Sequence, residues 1–420
     1  MGFQDVNDTA RVRGPEGVRN RSDGARPIGN GDGRWEAPAA PALATVNAAF
    51  RKWLVLKDLT PVHAVLGAVA ANLLPGDPVW LGVIAPPSTA KTEILNALAR
   101  IPHVEAVATL SMAALLSGTP KGQKAAGAKG GLLRKIGDFG VLVLKDFGSI
   151  LSMQRDGQAE TLAALREIYD GSWTRHVGSD GGKTLHSQGK LGLVFGATEA
   201  FDDRHAVISA LGDRFLTCRL NPASGRQQLK AAFDHTGATT NTMRTELAEA
   251  VAALFAVAAN KAPRPLAETE RERLGDAVKL AVRLRAHVNR DARSREIESI
   301  HGAEGPGRIG LCLERLLAGL DVIGLDRDAA LTLVQTVARH SCPPIRVKAF
   351  DLLNDAPQTT RAIADALRLP TTTTRRILED LLAQGLAVRE RGKDDAGEEK
   401  KGGADEWRLD AEWEDLWEND

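Results

Sequence analysis

The chain has 420 residues and balances 54 Lys+Arg against 54 Asp+Glu. With no net charge it is not a wholesale polycation, so any nucleic-acid contact must come from local basic patches. The length asks for two or three domains, and 43% hydrophobic with 26% charged residues is a globular balance rather than a disordered one. Cys218, Cys312 and Cys342 lie too far apart for a zinc spacing or a disulfide framework. The sequence has no apolar run of about 18 residues and no signal-peptide core. The expectation is a cytoplasmic protein with no membrane partner.

Residues 1–40 carry seven Gly and six Arg (Arg11, Arg13, Arg19, Arg21, Arg26, Arg34) with almost no apolar periodicity. They read as a disordered tail, either simply solvated or a nonspecific phosphate-binding arm. Order is expected near Pro41, opening an α/β core over 41–225. ALATVNAAFRKWLVL and Pro61 to Leu74 have helical spacing. Val79 to Ala85 is a continuous apolar run, as a buried parallel strand requires. PPSTAK and a helical TEILNALARI follow, giving strand, loop, helix. Val141 to Leu144, ahead of Lys145 and Asp146, and Leu191 to Thr198 are the other two expected strands. Strands separated by helical segments predict a parallel sheet. From 226 to 340 four helical segments predict a bundle; 341–410 is a smaller unit and 411–420 an acidic tail.

APPSTAKT, comprising Ala85, Pro86, Pro87, Ser88, Thr89, Ala90, Lys91 and Thr92, sits between strand and helix, where a phosphate loop would be. In the general GxxxxGK[ST] pattern backbone N–H groups wrap the phosphates, the Lys reaches the outer phosphates and the hydroxyl holds magnesium. Lys91 and Thr92 keep that pattern, but both glycines are alanine. Asp146 follows the second strand, where a carboxylate serves the magnesium shell, and Thr198 ends the third, where a polar group reads phosphate or positions water. ALGDRF then places Arg214 after a short helix. Each feature alone is weak; their order is informative.

Here the sequence resembles the AAA+ ATPases of the pre-sensor-1 hairpin group, which includes the minichromosome maintenance (MCM) helicases. APPSTAKT is similar to the MCM loop GDPGTAKS in its alanine before the lysine, KGGLLRKIGDFGVLVLKDFGSIL to the stretch with the second motif, and ALGDRFLT to the stretch with the arginine finger. The resemblance covers roughly Pro41 to Leu220 and implies an AAA+ parallel-sheet core with ATP and Mg²⁺ as cofactors. It implies that Lys91 and Thr92 bind phosphate and magnesium, that Thr198 is sensor 1, that Arg214 reaches a neighbouring subunit's γ-phosphate, and that Arg308 is sensor 2. Asp146 falls where the family has its catalytic glutamate and Lys145 where it has the magnesium aspartate. One acid then does the work of two, leaving slow hydrolysis or binding without turnover open. The implied assembly is a homo-oligomeric ring, a hexamer in the family. The family's N-terminal oligonucleotide-binding domain has no counterpart in the short tail, which suits a compact prokaryotic or mobile-element replication helicase or initiator.

Two candidate hairpins lie between the motifs. Ser117 to Gly131 carries Lys121 and Lys124; Gly171 to Lys190 alternates around SDGG at 179–182 and carries Arg175, His176, Lys183, His186 and Lys190. The resemblance implies that they project into the ring channel and grip DNA, single- or double-stranded, through phosphate contacts; the alternative is an ordinary solvated turn.

The last unit reads as helix, helix-turn-helix, wing. VKAFDLLND is one helix, TTRAIADAL a second with Thr359 or Thr360 as N-cap, and TTTTRRILEDLLAQG a third, opened by threonine caps and closed by Gly385. LAVRERG and ADEWRLD are strands. In such a winged-helix module Thr371, Thr372, Thr373, Thr374, Arg375 and Arg376 face DNA, unless the module serves protein contacts. The acidic tail, with Trp413, Leu416 and Trp417 at helical spacing, either docks on the body or recruits a replication partner. Three functions follow: an ATP-driven DNA helicase or initiator, an ATP-regulated winged-helix transcription regulator without helicase activity, and a non-catalytic ATP-binding scaffold.

Overall fold

A computed structural model describes residues 42–117, 131–177, 183–204, 214–234, 237–291, 293–300, 302–391 and 405–413. Lys121, Lys124, the SDGG segment, residues 205–213 with the helix expected before Arg214, residues 392–404, Trp417 and the N-terminal tail lie outside the described residues.

The core opens with α1 (Ala42–Trp53) and α2 (Thr60–Leu73). Pro61, in the first turn of α2, costs no hydrogen bond there. From Pro61 to Asn72 every residue of α2 except His63 is buried, so this is a central helix rather than an amphipathic surface one. Next come β1 (Trp80–Ile84), α3 (Lys91–Asn96) running into a 3₁₀ turn at Ala97–Arg100, β2 (Val104–Val107), α4 (Met112–Leu115), α5 (Leu132–Ile136) and β3 (Phe139–Leu144). Then follow α6 (Gly148–Leu151), α7 (Arg155–Tyr169), an antiparallel hairpin of β4 (Ser172–Val177) and β5 (Lys183–Gln188), β6 (Lys190–Ala197), a 3₁₀ turn at Glu199–Arg204 and β7 (Phe215–Arg219). The sheet has the order β2-β3-β6-β1-β7, with every neighbouring pair parallel. A five-stranded parallel sheet with this strand–loop–helix opening fits a P-loop-like core.

The three expected strands are its three central ones. The two edge strands escaped the sequence reading for physical reasons. In β2 no residue is buried, and in β7, Phe215–Arg219, the polar Thr217 and Arg219 break the apolar run. Both lack the long apolar run that marks a strand covered on two faces.

Close approaches fix the layers. Buried Asn72 donates to the carbonyls of Ala68 (3.0 Å) and Val79 (2.7 Å) and accepts from Val79 N (2.8 Å), tying α2 to the start of β1. At Gly192 a Cβ would lie 2.4 Å from the Asn72 side chain, so only glycine admits that amide. On the other side α2 meets α11 (Gly307–Ile323), where a Cβ on Gly319 would sit 2.0 Å from the carbonyl oxygen of Gly67. The backbones of the sheet layer and the helical layer thus touch directly.

The helical layer contains α8 (Gly225–Asp234), α9 (Gly237–Ala258), α10 (Glu268–Arg285), α11 and α12 (Arg327–His340). It is not the purely helical bundle expected. Between α10 and α11 runs a two-stranded ribbon of β8 (Val288–Arg290) and β9 (Ile297–Ile300). Its turn is built by the Asp291 carboxylate, which accepts from the amides of Arg293 (2.8 Å) and Ser294 (2.6 Å).

The C-terminal unit contains α13 (Pro344–Asp355), β10 (Gln358–Thr359), α14 (Thr360–Leu367), α15 (Thr371–Ala383), β11 (Ala387–Arg391) and β12 (Asp405–Leu409), with sheet order β10-β12-β11. Thr359 caps α14, its hydroxyl accepting from Ala362 N at 3.2 Å. No threonine caps α15, which starts behind Pro370 with no side-chain cap; the fixed φ of proline sets the helix entry instead. Gly385 takes φ 70° just past its end, the left-handed conformation that ends helices. Trp407 is fully buried and donates to the Thr360 hydroxyl at 2.8 Å. Trp413, assigned above to the tail, is buried too and donates to Gly385 O at 2.8 Å, so the ordered unit runs past 410.

Candidate nucleotide site

In a parallel sheet all carboxyl ends lie on one edge, where ligands of open α/β sheets bind. The order here sets β6 between β1 and β3. That brings the loop after β1 (Ala85 to Ala90), the end of β3 (Lys145, Asp146) and the end of β6 (Thr198) side by side. Backbone bonds weld them: Ala85 N donates to Ala197 O (3.1 Å) and Phe147 N to Gly196 O (2.8 Å). Phe147 and Phe195 pack below, ring centroids 4.5 Å apart.

Lys91 opens α3 and folds back over this junction. Its ammonium donates to Ala197 O at 2.7 Å and Ala85 O at 3.3 Å, the last carbonyls of β6 and the first of the loop. Burial pushes its pKa below the ordinary lysine value, and the Asp146 carboxylate pulls the other way. Asp146 is exposed; its Oδ1 accepts from Gly148 N at 2.9 Å, which leaves the other oxygen to outside partners. Thr92 is exposed and Thr198 half-buried at the same edge. Lys91, Thr92, Asp146 and Thr198 therefore lie at the same edge of the sheet.

The loop explains its own missing glycines. Ala90 takes φ −64°, a helical value any residue accepts, and Ala85 is not among the left-handed residues. The left-handed position is Ser88, at φ 60°. Glycine is needed elsewhere, at Gly196, where a Cβ would lie 2.8 Å from Lys145 O and 3.2 Å from Lys91 Cδ.

Two features of the site were not read from sequence. Glu93 forms a bidentate ion pair with Arg244 on α9 (2.6 and 2.9 Å), linking the loop helix to the helical layer. Arg244, and more weakly the Lys145 ammonium, hold the Glu93 carboxyl below the usual carboxylate range. Arg219, ending β7, forms a bidentate pair with Asp202 (2.7 and 2.8 Å) in the turn after Thr198. Its amide donates to His340 Nδ1 (3.0 Å), and Thr217 N donates to Ser341 Oγ (2.9 Å). Partners 17 to 151 residues apart leave no local signal.

Arg214 and Arg308 are not at this edge. Arg214 precedes β7, at the amino-terminal edge of the sheet. It is 6% exposed, its guanidinium gives Asp170 two hydrogen bonds (2.7 and 3.0 Å), and it lies over the Tyr169 ring at 5.3 Å. Arg308 is exposed and lines a cavity of about 620 Å³ with Asp77, Tyr169, Asp170 and Lys190. Lys190 donates to Leu74 O (2.6 Å), and burial together with Arg315 pushes its pKa down to about 7.

Of the expected DNA contacts, Arg175 is half-buried and its guanidinium donates to the carbonyls of Met112 (3.2 Å) and Leu116, so it anchors the β4–β5 hairpin to α4. Lys183 lies in β5 at the hairpin tip. The outer face of the hairpin carries two rungs, Thr174 with His186 (2.9 Å) and His176 with Thr184 (3.0 Å). Thr371, Thr372, Thr373, Arg375 and Arg376 are exposed along the first turns of α15; Thr374 is buried. The inner side of α15 is clamped by Arg290 and Arg346, both paired with Asp380.

Among the described residues no helix is long and apolar enough to cross a membrane. No protein-family model and no curated protein matches this chain. Similar solved structures include a full-length MCM homolog from Methanopyrus kandleri, 16% identical with a TM-score of 0.39, the match covering 74% of this chain and 63% of that one. They also include the active helicase Cch of SCCmec type IV, 10% identical with a TM-score of 0.34, covering 87% of this chain and 70% of that one. The chain therefore spans less than two thirds of the length of the MCM homolog.

Proposed function

We propose that the chain is an ATP-driven, DNA-acting motor of the AAA+ kind, working as a ring in which each ATP lies between two subunits. The observation that carries this is the meeting of Lys91, Asp146 and Thr198 at the carboxyl edge of three adjacent parallel strands. Lys91, now bonded to main-chain carbonyls, would turn to the outer phosphates; the amides from Ala85 to Thr92 would wrap them. Asp146, with one oxygen to spare, would orient the attacking water, and Thr198 would contact the γ-phosphate. Magnesium would find the Thr92 hydroxyl and the Asp146 carboxylate, and one carboxylate with phosphate oxygens and water meets its ordinary needs. When bound it would neutralise charge on the phosphates.

Arg214 and Arg308, at the opposite edge, suit a role toward the ATP of a neighbouring subunit. For Arg214 this requires release from Asp170 on assembly. The β4–β5 hairpin and the exposed threonines and arginines of α15, read as the recognition helix of a winged helix, would contact DNA.

The test is the rate of phosphate release from ATP with and without single-stranded DNA, together with unwinding of a forked duplex. The motor reading expects DNA to raise the rate, Lys91→Ala to abolish it, and Arg214→Ala subunits to inhibit wild type when mixed with it. Site-specific duplex binding without unwinding would favour the transcription regulator. The internal pairing of Arg214 with Asp170 favours that second reading, since it turns the Arg214 guanidinium of a single chain inward.

A further inference from the structure

We propose that the turn of the β8–β9 ribbon is a second nucleic-acid contact, in which Arg293 and Arg295 hold backbone phosphates of the same DNA duplex that α15 enters. This rests on the reading of α15 as a recognition helix and gives a task to a ribbon that lies outside the winged-helix unit.

One guanidinium joins the two elements. Arg290, the last residue of β8, has a side chain only 13% exposed and donates to Arg295 O at 2.9 Å and to Arg376 O at 2.8 Å. It also pairs with two carboxylates of α15, Glu379 at 3.2 Å and Asp380 at 2.7 Å. Arg346 takes the other oxygen of Asp380 at 3.1 Å while donating to the carbonyls of Leu284 (3.0 Å) and Ala286 (2.6 Å), at the end of α10. The ribbon is thus fastened to the middle of α15, and the backbones of Arg295 and Arg376 are held on opposite arms of one planar fork.

The turn itself is well determined. The Asp291 carboxylate fixes the amides of Arg293 and Ser294, and Arg295 N donates to Asp291 O at 3.0 Å. Arg295 takes φ 63°, a left-handed conformation that costs an L-residue strain. This leaves Arg293 and Arg295 exposed, as Arg376 is. Among the described residues these three guanidinium groups have neither a hydrogen bond nor an ion pair. Arg290, Arg346 and Arg375 already outnumber Glu379 and Asp380, and Arg293, Arg295 and Arg376 outnumber Asp291 and Glu296, so the surface stays positive.

Phosphate contacts ask only for such charge, and they orient a helix in its groove without reading sequence. A helix in the major groove has phosphates along both walls, and a turn locked beside it meets one of them. Neither the turn nor the stretch Thr371 to Arg376 holds a large apolar side chain of the kind that anchors a protein partner.

The experiment measures binding of the full chain to a fluorescent DNA duplex by anisotropy over a range of salt. Wild type is compared with Arg293→Ala/Arg295→Gly, Arg293→Lys/Arg295→Lys and Arg375→Ala/Arg376→Ala. Glycine at 295 keeps the left-handed backbone, so the charge is lost without the turn. The Ala/Gly ribbon variant is expected to bind about tenfold or more weakly, with a salt slope shallower by about 1.8, as loss of two phosphate contacts requires. The lysine variant should stay within about threefold of wild type. A ribbon variant that binds like wild type while the α15 variant is weakened overturns the inference and leaves the recognition helix standing. An α15 variant that binds like wild type removes that reading and this inference with it. A ribbon variant that keeps its DNA affinity but loses affinity for poly-L-glutamate assigns the turn to an acidic protein and also overturns the inference. Far-UV circular dichroism of each variant separates lost binding from lost folding.

Discussion

At the two edges of the central sheet the side chains proposed to act on ATP are held differently. At the carboxyl edge Asp146 is exposed, Lys145 has no bonded partner among the described residues, and Lys91 is held only by carbonyl oxygens. At the amino edge Arg214 is sealed against Asp170 and Tyr169, Lys190 is bonded to Leu74 O, and Arg315 donates to Pro75 O (2.5 Å) and Ala71 O (2.6 Å), closing the end of α2. Charges satisfied inside the chain contribute stability; charges held short of satisfaction are available to a ligand. The first edge should therefore respond to mutation in affinity and the second in stability.

The largest expected effect is on binding. Lys91→Ala removes charge-assisted bonds to phosphate and should cost about a hundredfold or more in ATP affinity by calorimetry. It should leave thermal stability level or slightly higher, because a half-buried ammonium disfavoured by burial is lost with it. A fall in both would blur the contrast.

At the other edge Asp170→Ala leaves the Arg214 guanidinium buried without its carboxylate. Because Asp170 is itself about half exposed, at 52%, the cost is discounted to about 1–3 kcal/mol, read as a lower denaturant midpoint with unchanged ATP affinity. A drop in ATP affinity of the isolated chain would break the division between the edges.

Next comes pH. Burial drives the His340 and His63 pKa values down to about 4, from 6.5 in the unfolded chain. The unfolded state thus takes up protons first. This share of stability is complete above about pH 6.5, declines as the pH falls, and is gone below about 4. Protonation also removes the Nδ1 acceptor from Arg219 N. Thermal melts at pH 7 and pH 5 should show the loss, and His340→Gln should reduce its pH dependence.

The smallest effect is at Ser88. Its left-handed backbone costs an L-residue about 1 kcal/mol, so Ser88→Gly should raise stability by at most that amount without weakening ATP binding. A loss of affinity would mean that the Ser88 side chain itself touches the ligand.

The division also sets what sequence could reveal. The placement of Asp146 and Thr198 at one edge was legible because each follows an apolar run, and that of Lys91 and Thr92 because they open the helix after the loop that follows such a run. The three central strands were legible as continuous apolar runs; the half-exposed β2 and β7, whose run Thr217 and Arg219 interrupt, were not. The fate of Arg214 was hidden because Asp170 lies 44 residues away, and Glu93 gives no hint of Arg244, 151 residues on. The loop's two alanines looked like defects until the backbone angles moved the special conformation to Ser88.

The bonds that Ser341 and His340 take from Thr217 N and Arg219 N have one more consequence. These amides are the outward donors of the last strand, the row a stray extended segment would seek. Because they are consumed by a helix terminus, that flank offers no ladder for recruitment. A foreign strand could join only after α12 peeled away, so this margin is guarded against runaway association between copies.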